Sequence, residues 1–255
     1  MLSDSEYLRY SRQIMLPEVG ECGQQALSKA RVLMVGAGGL GTTAGLYLAG
    51  GGVGQLAIAD SDHVELSNLA RQVAYRDEQI GTDKAAALAA NLVALNPDCQ
   101  CRAINAYLEG ERLALEVAMA DVVLDCSDNL ATRHAVNQAC VEAGTPLVSA
   151  AAIGWQGQLL VYQPHSACYA CAFADVTLSE PTRCAEAGVM GPVVGMMATT
   201  QALEGIKLLL GQAVGTNRLS RLDGQTMTWQ HFSLPVHPHC AVCQPKREVS
   251  DAVNH

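Results

Sequence analysis

The chain has 255 residues, 49% of them hydrophobic and 16% charged, which is enough apolar content for a sizeable core in one large domain. That balance excludes intrinsic disorder and collagen. The 4% aromatic content and the net charge of −9 argue against base-stacking and polyanion-binding surfaces, so no nucleic-acid partner is expected.

The opening MLSDSEYLRYSRQ is polar, carries both charge signs and lacks the apolar run of a secretory leader, so a cytoplasmic location is expected. In a reducing compartment, spaced cysteine pairs point to metal or catalysis more than to disulfides. EYLRYSRQ and GQQALSKA predict a helical segment over about residues 4–30. Val32 to Ala59 then runs 28 residues without a charge, the length of a membrane span, but nine glycines break it into short pieces. RVLMV reads as a buried strand, GAGGLG as a turn, TTAGLYLAG as a short helix and GQLAIAD as a second buried strand, so no membrane partner is expected. GTDKAAALAANLVALNP predicts a helix capped by Thr82 or Asp83 and stopped by Pro97. CQCRAINAYL reads as a third strand, ERLALEVAMA as a helix and ADVVLDCSDN as a strand ending in a polar loop. ATRHAVNQACVEAG is a helix with Gly144 at its C-terminal cap, and PLVSAAAI is another buried strand.

This β–α alternation up to about residue 153 predicts an α/β fold with a mostly parallel sheet covered on both faces. Beyond it, GQLLVYQ and RLSRLDGQTMTWQHFSL alternate like half-exposed antiparallel strands, separated by a loop over about 163–187 and a helix over about 192–210. No repeat or long linker divides the chain. It is expected to be a single domain with a helical segment (1–30), a nucleotide-binding part (31–153), a C-terminal part (154–244) and a frayed tail (245–255).

Six features carry chemistry. Gly36, Gly38 and Gly41 fit G-x-G-x-x-G between a strand and a helix, and Asp60 ends the next strand. Such glycines let backbone approach phosphate at a helix N-terminus, and the acid accepts from a ribose hydroxyl; NAD and ATP both satisfy the pattern. Next, DSDHVELSNLARQ (60–72) puts Asp62, Asn68, Arg71 and Gln72 in a loop at the carboxyl edge of the sheet, where ligands of such folds bind. Lys84 opens a helix, where a cation opposes the dipole unless an anion is near, so it is either an exposed lysine or a ligand-binding one. Asp128 and Asn129 follow VVLDC and suit Mg²⁺ or hydroxyl binding, or else Ser127 or Asp128 caps the next helix. Fifth, Cys168-Tyr-Ala-Cys171 and Cys240-Ala-Val-Cys243 can supply four thiolates to a structural zinc, with redox pairs as the alternative. Cys184 follows Arg183, whose charge can lower a thiol's pKa and make it a nucleophile; taken alone, an ordinary buried or loop cysteine is the simpler reading. Cys22, Cys99, Cys101, Cys126 and Cys140 read as small apolar fillers.

Taken together, RYSRQI (9–14), GAGGLG (36–41), DSDHVELSNLARQ (60–72), Lys84, LDCSDN (124–129), CYAC (168–171), CAEAGVMGPVVG (184–195) and CAVC (240–243) resemble the ThiF/MoeB/HesA family of ubiquitin-activating-type adenylyltransferases over about residues 7–244. The segments AAAIGWQGQLLVY and GPVVGMM look closer to the ThiF branch, whereas the opening resembles MoeB equally. The resemblance implies a Rossmann-like fold and adenylation of the C-terminal glycine carboxylate of a small ubiquitin-like sulfur carrier, with release of pyrophosphate. It implies ATP and Mg²⁺, and Zn²⁺ held by Cys168, Cys171, Cys240 and Cys243. Arg71 and Lys84 match phosphate-contacting positions, Asp128 the Mg²⁺-linked aspartate and Asp60 the ribose-binding acid. Gly36, Gly38, Gly39, Gly41, Asp62, Ser67, Asn68, Leu69, Ala70, Gln72 and Asn129 fall among the nucleotide-site positions, with Ala70 shorter than the polar residue relatives often carry there. Arg12 matches an arginine contributed by the partner subunit, which implies a homodimer. Cys184 matches the cysteine that joins the carrier covalently during sulfur handling, which also implies a sulfur donor enzyme. The expected carrier is ThiS-like, for thiamine thiazole synthesis, with a MoaD-like carrier for molybdopterin as the alternative. An NAD-dependent dehydrogenase is a distant alternative that explains neither Lys84 nor Asp128 nor the cysteine pairs.

Overall fold

Arg31–Val35 (β1) is apolar after its first residue, and both faces of the strand are buried, as a strand in a doubly covered parallel sheet requires. The computed structural model describes residues 2–173 and 188–244. Two helices, α1 (Asp4–Ile14) and α2 (Gly20–Lys29), precede β1. Then come α3 (Gly39–Gly50), β2 (Gln55–Ala59), α4 (Lys84–Leu95), β3 (Gln100–Ile104), α5 (Gly110–Ala118), β4 (Val122–Asp125), α6 (Leu130–Ala143) and β5 (Leu147–Ile153). The C-terminal part adds β6 (Gln156–Tyr162), the short α7 (Tyr169–Phe173), α8 (Gly191–Leu209), β7 (Arg218–Asp223) and β8 (Thr228–Ser233).

These strands form one sheet in the order β3-β2-β1-β4-β5-β6-β7-β8. The first five are mutually parallel and the last three join antiparallel, as expected for a Rossmann-like fold with an antiparallel extension. The chain winds outward from β1 in one direction and from β4 in the other. A crevice therefore opens where β1 and β4 lie side by side, at their carboxyl ends.

Alternation within the strands separates two cores. Val32 and Met34 pack with Leu48, Leu88, Leu92 and Met197, from α3, α4 and α8. Leu33 and Val35 pack with Leu113, Val117 and Val136, from α5 and α6, and with Cys168 and Cys240. Polar side chains inside this framework serve as ties. Asn96, fully buried after α4, donates to Tyr10 Oη at 2.8 Å and to the Ala49 carbonyl at 2.7 Å, holding α1 to the end of α3.

Several local expectations are corrected. The helix after the glycine turn begins at Gly39 rather than Thr42. Neither Thr82 nor Asp83 caps α4 through its side chain: Thr82 Oγ1 donates to Gln79 O at 2.6 Å, while Asp83 pairs with His63 and accepts from Asn105. Asn129, not Ser127 or Asp128, caps α6, with Oδ1 accepting the Thr132 N–H at 2.9 Å. α7 interrupts the loop expected from residue 163. β8 is exposed along its whole length instead of alternating, because it is an outer edge and no element among the described residues covers either face. Cys22 is exposed rather than packed, and the Cys99 and Cys101 sulfurs touch at 3.7 Å. Gly144 caps α6 in the left-handed region, as expected (φ 69°).

Candidate active site

The glycine turn sits at the carboxyl end of β1, and backbone contact dictates its composition. Gly36 has φ 102°, and a Cβ there would come within 2.7 Å of the Cys126 carbonyl oxygen from β4. A Cβ on Gly41 would lie 2.0 Å from the Gly36 carbonyl oxygen, which no rearrangement of side chains relieves. α3 opens with Gly38 at its cap, and no side chain among the described residues accepts from its first turn. Its leading N–H groups thus face the crevice without a partner from those residues, on the positive end of the helix dipole, which favours an anion.

Asp60, half-buried at the end of β2, accepts from the Ala37 N–H at 2.7 Å and from the Asp62 N–H at 2.8 Å. Burial raises its pKa above the ordinary 3.8, against the opposing pull of those two N–H groups and of Lys84. In the following loop Asn68 is buried and Ser67 and Ala70 are exposed, while Leu69 and Arg71 are half-buried. The Asn68 carbonyl accepts the N–H groups of Arg71 and Gln72 at 3.1 and 2.9 Å, which turns the Arg71 side chain back onto the Ser67 carbonyl at 3.2 Å. This backbone threads between two helix starts: a Cβ on Gly39 would lie 3.2 Å from Arg71 O, and one on Gly191 would lie 2.7 Å from Ala70 O. Gly191, at the start of α8, was not singled out from the sequence, although the Gly-Pro that opens this helix was a readable signal. Gln72 is 2% exposed, and its Oε1 has no hydrogen-bond partner among the described residues. A buried acceptor left open beside the glycine turn fits a polar ligand there.

Lys84 is not the exposed lysine of the simplest reading. It is 7% exposed, and its Nζ lies 2.8 Å from Asp62, whose side chain is 68% exposed. The buried partner is the cation, and the exposed carboxylate is easily replaced by another anion.

At the end of β4 the chain turns through Ser127 and Asp128 into α6. Asp128 is exposed and Asn129 half-buried. Their placement depends on a network the sequence reading missed. Asp125, fully buried, accepts from Ser127 N–H (3.1 Å), Ser127 Oγ (2.6 Å) and Ser149 Oγ (2.7 Å). Arg133 lies 3.6 Å from Asp125 and donates to Ser149 Oγ, to Ala150 O at 2.9 Å and to Ser127 O. Gln201 of α8 donates to Asp125 O at 2.8 Å and Val148 O at 2.9 Å, a role signalled only by its being the lone amide in an apolar helix.

Across the sheet, Cys168, Cys171, Cys240 and Cys243 bring their sulfurs within 4.8 Å of one another, with pairs at 3.5, 3.7 and 3.9 Å. A tetrahedral Zn²⁺ with bonds of about 2.3 Å has sulfur–sulfur edges of about 3.8 Å, so the donor set and spacing fit zinc. The Tyr169 N–H is held by Asn137 Oδ1 of α6 at 2.8 Å, and the His237 N–H points at Cys171 Sγ at 3.4 Å. Arg12 is exposed on α1, and no hydrogen bond or ion pair joins it to the glycine turn among the described residues. Cys184 lies outside the described residues. A crevice of about 490 Å³ at the amino ends of β1, β2 and β3, crossed by the Arg102–Glu116 pair, is at the opposite end of the strands from these groups. No helix among the described residues is long and apolar enough to cross a membrane.

A parallel sheet whose crevice carries an uncapped, glycine-lined helix start, two cations and an acidic loop, with a four-thiol cluster in its C-terminal part, defines a Rossmann-type α/β protein with a phosphate-binding character. The ThiF family model matches residues 10–242, so the chain belongs to the ThiF family. It is 48% identical over 245 residues to a sulfur carrier protein ThiS adenylyltransferase of Escherichia coli (strain K12), covering 95% of this chain and 97% of that protein. It is 42% identical over 248 residues to a molybdopterin-synthase adenylyltransferase of the same organism, covering 95% and 98%. Among solved structures, E. coli MccB with MccA-N7isoASN superposes with a TM-score of 0.81 at 23% identity, over 93% of this chain and 74% of that one, a likeness of fold.

Proposed function

We propose that this protein is an ATP-dependent adenylyltransferase that activates the C-terminal glycine carboxylate of a small ubiquitin-like, ThiS-like sulfur carrier. The carrying observation is the grouping of the buried Lys84, Arg71 and the uncapped start of α3 with the Asp128 loop at one crevice. A carboxylate oxygen attacks the α-phosphorus of ATP, the bond to the β-phosphate oxygen breaks, and pyrophosphate leaves with the acyl-adenylate retained. Reactants carrying about five negative charges must meet, so catalysis is chiefly positioning and charge neutralisation.

In this reading Lys84 and Arg71 contact the phosphates, and Asp60 accepts from the ribose. Asp128 would hold Mg²⁺, which supplies charge neutralisation at the phosphates, while Asn129, its Oδ1 taken by Thr132, has its amide N–H groups to offer the nucleotide. The turn glycines and the loop residues Asp62, Ser67, Asn68, Leu69, Ala70 and Gln72 line the nucleotide. Arg12 reaches the site of the partner subunit in a homodimer, and Cys184 links covalently to the carrier during sulfur transfer from a donor enzyme. The four-cysteine cluster would hold Zn²⁺, tying residues 240–243 to 168–171 as a structural clasp. Exposed Trp155, Trp229 and Phe232 on the antiparallel extension support carrier docking in the 154–244 part. The higher identity to the ThiS adenylyltransferase favours a ThiS-like over a MoaD-like carrier.

The experiment is carrier-dependent ATP–pyrophosphate exchange with a ThiS-like and a MoaD-like protein in turn. Faster exchange with the ThiS-like carrier is expected. Preference for the MoaD-like carrier would reassign the substrate, and no exchange with either would reject adenylation. Tight NAD binding without ATP binding would revive the dehydrogenase alternative.

A further inference from the structure

Between the 60–72 loop and α4, one buried hydroxyl spans the two halves of the phosphate site. Tyr75 is 4% exposed, and its Oη lies 2.8 Å from the Ala37 carbonyl oxygen in the glycine turn and 3.0 Å from the Lys84 carbonyl oxygen at the start of α4. A phenol has one hydrogen to give, so the shorter contact is the principal bond and the other its bifurcated arm. The Lys84 carbonyl opens an α-helix and has an intrahelical partner. The Ala37 carbonyl precedes the α3 cap and accepts from no other group among the described residues. The opposite side of Ala37 is also held, since its N–H donates to Asp60. With both polar groups of this peptide segment fixed, the turn cannot rotate its N–H groups away from the crevice.

We infer that Tyr75 is a positioning residue, a strut whose hydroxyl sets the distance between the glycine turn and Lys84. The inference rests on the proposed role of Lys84 as a phosphate cation. Burial pushes the Tyr75 pKa well above its ordinary value, with the Asp60 charge adding to the effect, so the strut is a neutral donor throughout the assay range. Phenylalanine fills the same volume and removes only the hydroxyl. The turn then loses its link to α4, and Lys84 meets the phosphates with less defined geometry. A cation that acts on charge developing during transfer affects kcat more than ground-state binding.

The test compares wild type, Tyr75→Phe and Lys84→Ala in carrier-dependent ATP–pyrophosphate exchange, with ATP stoichiometry measured by calorimetric titration. Tyr75→Phe is expected to bind the same amount of ATP per protomer as wild type and to keep its KM within about twofold. Its kcat should fall about three- to tenfold, the range of one neutral hydrogen bond. Unchanged kcat, a fall matched by lost binding stoichiometry, or a raised KM with wild-type kcat would each overturn the strut. Failure of the underlying reading is separate: it is seen as no exchange by wild type with any carrier, or as full kcat in Lys84→Ala.

Discussion

Arg133→Met tests whether the Asp125–Arg133 pair organises the loop beneath the candidate Mg²⁺ site. Methionine occupies much of the arginine's volume, so the main loss is charge and hydrogen bonding rather than a cavity. Three donations disappear, to Ser149 Oγ, Ala150 O and Ser127 O. Asp125, fully buried, is left without its counter-charge. Removing one member of a buried ion pair costs about 3–5 kcal/mol. The Asp125 carboxylate still accepts three hydrogen bonds, from the Ser127 N–H and the Ser127 and Ser149 hydroxyls, which places the expectation near the lower end, about 3 kcal/mol. For a chain of this size that corresponds to a fall in melting temperature of about 6–12 °C by scanning calorimetry. In a double-mutant cycle, Asp125→Asn should relieve part of the loss, because the uncompensated charge is gone. A loss under about 1 kcal/mol, or strict additivity of the two substitutions, would refute the view that Arg133 neutralises Asp125.

Asp128→Ala should abolish carrier-dependent exchange with little change in melting temperature, since this side chain is exposed and makes no hydrogen bond among the described residues; near-normal exchange would remove its proposed metal role. Stripping metal with a strong chelator should lower the melting temperature, as should Cys240→Ser, and a readded Zn²⁺ equivalent should restore only the native protein. A thermal response absent from both would argue against a structural zinc, whose binding contributes to folding free energy. His134, half-buried against Tyr169 at a ring distance of 5.4 Å, has its pKa lowered from 6.5 by burial. Below pH about 6.5 the unfolded chain takes up the proton more readily than the native one, so stability is lost as pH falls through that range. His134→Gln should flatten this part of the stability–pH curve, and an unchanged slope would assign it to other groups.

The strand pattern and glycine turn were readable because each is enforced locally. Both faces of β1 are buried, so its sequence must be apolar throughout, and the close approach of Gly41 to Gly36 tolerates no side chain. The four cysteines were readable for a similar reason, since metal-like spacing survives in sequence even across a long gap. What could not be read was whatever depends on which residue sits across from which. Lys84 looks like any lysine in a first turn until Asp62, on another segment, is found beside it. The cap of α6 moved to Asn129 because Ser127 was already committed to Asp125, a competition visible only when both ends of the loop are in view. β8 was expected to alternate, but alternation marks a strand covered on one face, and an outer edge strand with neither face covered has no such constraint.

In the proposed function, the same pairings let a chain of net charge −9 receive a nucleotide triphosphate. Long-range steering is unfavourable, so affinity must come from groups within a few ångströms, where local geometry outweighs net charge. Lys84 is almost fully enclosed, while its partner Asp62 is largely in water. The pair fixes the position of the ammonium in the free protein. Because the ammonium is buried it needs an anion beside it, and the exposed Asp62 carboxylate can be displaced as another anion takes its place. A phosphate arriving at the start of α3 can take over the ammonium from Asp62 and gain the free N–H groups of the helix at the same time. In that reading the acid at position 62 acts as a holder that yields to the ligand.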